Sequence, residues 1–92
     1  MNCSLLIKQI LNQMTESEKK IAEYVLNNAS EVYKFSANQL AIITETSASS
    51  VVRFSRTLGF DGFQEFKIAL AKDDSIATEK VDYEYDYIDT ND

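Results

Sequence analysis

Arg53 and Arg56 stand three positions apart, directly behind "TETSASS", in which five hydroxyl residues (Thr44, Thr46, Ser47, Ser49, Ser50) occupy seven positions. Ser and Thr are mediocre helix formers, because their hydroxyls compete for backbone hydrogen bonds. At a helix start they have two uses: capping the first amides and meeting an anion there. Arginine adds a fork of donors that can bind guanine bidentately or hold a phosphate. The pattern therefore raises polyanion recognition before any other chemistry.

Ser47 is the natural N-cap of that helix, and Gly59 the natural residue just past its end, able to take φ > 0. At about 100° per residue, Val51, Phe54, Ser55 and Leu58 form one stripe, suited to burial. Ser49, Arg53 and Arg56 fall on the opposite side, flanked by Val52 and Thr57. The candidate DNA-binding set is Ser47, Ser49, Ser50, Val52, Arg53, Arg56 and Thr57.

The elements around this helix are expected to be short helices. Ser4 to Gln13 reads as the first, with Leu5, Ile7, Ile10, Leu11 and Met14 as its apolar set. "MTESEKKIAEYVLNN" opens on a capping box, Thr15 with Glu18, and ends at Asn27–Asn28. "SEVYKF" makes a single turn, and "SANQLAIIT" repeats the capping box with Ser36 and Gln39. Glu45-Thr46-Ser47 breaks the chain before the arginine helix, and "DGFQEFKIALAK" closes the set behind a cap at Asp61. The fold class is all-α, a compact bundle of five to six short helices. Two of them join by a tight turn as a helix-turn-helix, with Ala41, Glu45, Val51 and Phe54 at its key spacing.

Charge divides the chain in two. Residues 1–72 carry eight Lys and Arg against seven acids, a net of +1, whereas residues 73–92 carry one Lys against eight acids, a net of −7. The body is expected over 1–72 and an acidic, extended tail over 73–92. In the tail Val81, Tyr83, Tyr85 and Tyr87 alternate with acids, which is strand periodicity. Three readings of it stay open: a strand against another copy, an irregular linker, or a segment folded over Arg53 and Arg56. The first helix likewise either contacts a second subunit or covers the body's own core.

With no histidine, one cysteine (Cys3) at a terminus expected to be flexible, and no Gly-rich phosphate loop, no catalytic, cofactor or metal site is expected. No apolar run reaches the roughly 18 residues of a membrane span, so no membrane partner is expected either. A single cysteine fits a cytoplasmic location. The rival to DNA binding is a protein-interaction module whose helices and acidic tail bind a partner.

The stretch "LAIITETSASSVVRFSRTLGFDGFQEFKIAL", with the upstream "MTESEKKIAEYVLNNASEV", resembles the N-terminal DNA-binding domain of the RpiR family of bacterial transcription regulators. The similarity covers roughly residues 4–72. It implies a homeodomain-like fold, with Arg53 facing the groove and Phe54, Leu58, Phe60, Phe63 and Phe66 in the core. It also implies operator DNA as partner and control of sugar or sugar-phosphate genes; a homodimer in the full-length protein is expected because helix-turn-helix proteins commonly bind as dimers and a near-neutral body binds weakly alone. A phosphosugar effector would bind only through a C-terminal sugar-isomerase-type (SIS) domain, expected beyond this N-terminal piece, with the tail as linker. One departure is Glu45, at a turn position often held by Gly. A fully left-handed Glu costs about 1–2 kcal/mol, so a less sharp turn is expected.

Overall fold

The computed structural model describes residues 2–73. The acidic tail beyond its first residue, Asp73, lies outside the described residues with its alternating tyrosines. Within them the chain forms α1 (Cys3–Ile10), a 3₁₀ turn (Leu11–Gln13), α2 (Glu16–Val32), α3 (Ala37–Thr44), α4 (Ala48–Thr57) and α5 (Phe63–Ala71). The expected all-α bundle is what forms.

Local capping sets most of these boundaries. The Thr15 N–H donates to Glu18 Oε1 (2.8 Å) while the Glu18 N–H donates to Thr15 Oγ1 (3.2 Å). Ser36 and Gln39 repeat the reciprocal pair at 2.9 and 3.1 Å. Each such box satisfies two amides that a helix start leaves without partners.

Two expected boundaries differ. α2 does not end at Asn27–Asn28 but bends there and runs to Val32. Asn28 leaves helical geometry (φ −138°, ψ 36°), and its side-chain amide donates to the Tyr24 carbonyl at 3.1 Å. Asparagine breaks the regular ladder and repairs it with its own donor, so the expected separate turn becomes the far arm of one kinked helix. Asp61 does not cap α5: the N-cap position is Gly62, with no side-chain cap.

The core lies where α2, α4 and α5 meet. Ile21, Ala22 and Val25 of α2 face Val51 and Phe54 of α4 and Phe66 of α5, all buried. Phe66 receives the Phe54 ring edge-on at 5.4 Å between centroids, with Phe60 at 5.8 Å and Phe63 at 6.2 Å. Offset and edge-on aromatic pairs add about 0.5–1.5 kcal/mol each beyond burial. α1 lays Cys3 and Ile7 into this core and leaves Leu5 exposed. Cys3 is therefore not at a flexible end: it is fully buried, and its N–H donates to the buried Asp73 carboxylate.

Candidate nucleic-acid interface

Glu45 closes α3 in the left-handed conformation (φ 58°, ψ 43°), so the turn is as sharp as a glycine would make it. The strain of about 1–2 kcal/mol is offset by two backbone bonds that this geometry permits. The Glu45 N–H donates to the Ile42 carbonyl (3.2 Å) and the Thr46 N–H to the Ala41 carbonyl (2.8 Å). Ala41 is itself buried, and its small side chain lets α3 and α4 approach.

The hydroxyl cluster mainly builds this turn. Thr44 donates to the Leu40 carbonyl at 2.8 Å and pairs with Thr46 at 2.9 Å. Ser47 caps α4 by accepting from the Ser50 N–H at 3.1 Å, and the two serine hydroxyls lie 3.0 Å apart. Ser50 is buried, so it is not presented to a ligand as its place in the candidate set requires. Of the five hydroxyls, only Ser49 is exposed with no partner among the described residues.

α4 turns the expected stripe inward: Val51, Phe54, Ser55 and Leu58 are buried. Arg53 and Arg56 point outward, and with Ala48, Ser49 and Val52 they line one surface depression. Behind the helix Gly59 adopts φ 103°, and the chain reverses through two bonds. The Gly59 N–H donates to the Arg56 carbonyl (2.9 Å) and the Phe60 N–H to the Ser55 carbonyl (3.1 Å). This is the geometry seen at Glu45, so matching left-handed reversals end both helices of the unit. The reversal brings the Asp61 carbonyl back to Arg56, whose Nε donates to it at 3.0 Å.

The comparisons with known proteins agree with this geometry. The profile "Helix-turn-helix domain, rpiR family" matches residues 1–77. The chain belongs to the rpiR family of helix-turn-helix domains. An HTH-type transcriptional regulator of Caldanaerobacter subterraneus subsp. tengcongensis is 43% identical over 76 residues, covering 83% of this chain and 27% of that protein. The chain thus spans about a quarter of the length of that relative. Among solved structures, the N-terminal domain of ybbH from Bacillus subtilis, assigned as a transcriptional regulator, aligns with a TM-score of 0.74. It is 27% identical, over 82% of this chain and 92% of that one. NanR of Vibrio vulnificus, solved in complex with ManNAc-6P, aligns with a TM-score of 0.77 at 30% identity, over 90% of this chain and 32% of that one.

In this rpiR-family domain four of the seven candidates, Ser49, Val52, Arg53 and Arg56, share one outward face. Ser47 and Thr57 sit at the ends of α4 with their hydroxyls already engaged, Ser47 as cap and Thr57 by donation to Glu18 Oε2 at 2.9 Å. Glu18 is the residue that sequence reasoning missed at this site. Its place in a capping box explains one carboxylate oxygen, and no local pattern signals that the other reaches a helix 39 positions away. Among the described residues no group of His, Cys, Asp or Glu is placed to hold a metal ion, and no helix is long and apolar enough to cross a membrane.

Proposed function

We propose that this chain binds operator DNA sequence-specifically as part of a bacterial transcriptional regulator, with α4 in the major groove. The observation that carries the reading is the face of α4. Two arginines and a serine with an open hydroxyl project from a helix whose opposite side is locked in the core. In helix-turn-helix proteins the second helix reads base edges while phosphate contacts hold the register. In this reading residues 1–72 are the DNA-binding domain and residues 73–92 lead toward a further domain.

Control of sugar or sugar-phosphate genes is the finer reading. It is supported by the resemblance of this chain to NanR, a protein that binds ManNAc-6P. A phosphosugar effector would act through a separate domain, and a homodimer would set two copies of α4 on half-sites roughly 34–36 Å apart. The near-neutral body favours that arrangement, since one copy offers few phosphate contacts.

The test is binding of the chain to random-sequence duplex DNA across a salt series, followed by selection from a randomised duplex pool. Affinity that falls steeply with salt, together with enrichment of one motif, is expected. Binding that ignores salt, or a pool that stays random, replaces this reading with the protein-interaction module.

A further inference from the structure

Arg53 and Arg56 lie on one face but are held differently. The Arg53 guanidinium is exposed and has no hydrogen-bonding or ionic partner among the described residues. Arg56 is tethered, its Nε donating to the Asp61 carbonyl at 3.0 Å. A guanidinium has five N–H donors, so Arg56 keeps the four on its terminal nitrogens. The tether also fixes where they sit. The Asp61 carbonyl belongs to the loop beyond α4, so the bond draws the Arg56 head off the helix toward its C-terminal end.

Position along the helix points the same way. Bases are read chiefly from the N-terminal part of a recognition helix, and the groove is bordered by phosphates. Arg53 is the sixth residue of α4 and Arg56 the ninth of ten. A head fixed before binding also loses less conformational freedom when it meets a ligand, which suits a contact made on every sequence.

Building on the proposed DNA binding, we infer a division of labour: Arg53 reads a base, whereas Arg56, held by the Asp61 carbonyl, is a preset clamp on a backbone phosphate. Specificity therefore resides in the untethered arginine and register in the tethered one.

The experiment measures affinity against salt, and base preference by pool selection, for the full chain and for Arg53→Ala, Arg56→Ala and Arg56→Lys. Circular dichroism first confirms that each variant is folded. Arg56→Ala is expected to weaken binding to all duplexes alike, to lower the slope of log K against log [salt] by about 0.9, and to leave the selected motif unchanged. Arg56→Lys keeps the charge and should keep the slope. Arg53→Ala is expected to relax the motif at one base position, by roughly 5- to 150-fold in preference. A motif that changes with Arg56→Ala, or an unchanged slope in that variant, overturns the division while DNA binding stands. Salt-independent binding by the unaltered chain instead removes the functional reading on which the division rests.

Discussion

The Thr57 hydroxyl donates to Glu18 Oε2 at 2.9 Å, tying the last residue of α4 to the first turn of α2 across 39 positions. The other oxygen of the same carboxylate accepts the Thr15 N–H, so one buried side chain both caps α2 and steadies α4. A buried acceptor stripped of its donor costs about 1–3 kcal/mol. Thr57→Val, of nearly the same shape, should therefore lower the unfolding free energy by about that amount. Thr57→Ser keeps the hydroxyl and should lose far less. Urea denaturation compares the two, and equal losses would mean that the hydroxyl bond is not the source.

Core and interface should respond oppositely along α4. Phe54 is fully buried against Phe66, and truncating such an aromatic costs about 3–5 kcal/mol. A domain of this size holds roughly 4–11 kcal/mol in total, so Phe54→Ala should lose a large share of its stability and melt far below the unaltered chain. Arg53→Ala removes only exposed atoms, and its melting temperature should stay close to that of the unaltered chain. A melting temperature that drops sharply in Arg53→Ala would mean that the outward face of α4 is misassigned.

What could be read in advance followed the range of the interaction. The boxes at Thr15 and Ser36, the cap at Ser47 and the buried stripe of α4 rest on residues within one or two turns of each other, and all form as expected. The failures are of three kinds. Ser50 looked like a ligand for phosphate because a serine's burial depends on its neighbours in space; here it supports the cap instead. Glu18 to Thr57 needed the tertiary fold, and Arg56 to the Asp61 carbonyl needed the path of the chain after Gly59, which marks the reversal but not the partner it brings back. Glu45 is a third case. Propensity disfavours its left-handed conformation, but two backbone bonds and the packing of α3 on α4 override it.

That override predicts a pair of opposite mutations. At Glu45 (φ 58°) glycine relieves a strain of about 1–2 kcal/mol and gives back about 0.5–1 kcal/mol through greater freedom of the unfolded chain. Glu45→Gly should raise stability by up to about 1 kcal/mol. At Gly59 (φ 103°) an added Cβ would meet nothing within 4 Å, so Gly59→Ala is penalised by backbone conformation alone. Less the roughly 0.5–1 kcal/mol recovered from a stiffer unfolded chain, a left-handed strain of about 1–2 kcal/mol should lower stability by up to about 1 kcal/mol. Chemical denaturation of both variants checks the signs, and a Gly59→Ala chain as stable as the original would mean that the second reversal is not left-handed.

Stability should also depend on alkaline pH through Cys3. Its thiol is pushed up from 9.0 to about 11, first by burial and then by the charge of Asp73 and a hydrogen bond to it. The folded state thus favours the protonated thiol. Below about pH 9 both folded and unfolded chains keep the proton, and the full contribution is present. Between about pH 9 and 11 the unfolded chain loses its proton while the folded chain retains it, which draws the equilibrium toward unfolding. The useful quantity is the difference between the original chain and Cys3→Ala, both measured in urea. The original chain should lose stability faster from pH 9 to 11, and the two curves should run parallel below pH 8. Curves that stay parallel throughout would mean that the thiol titrates alike in both states, and that its burial beside Asp73 does not persist in solution.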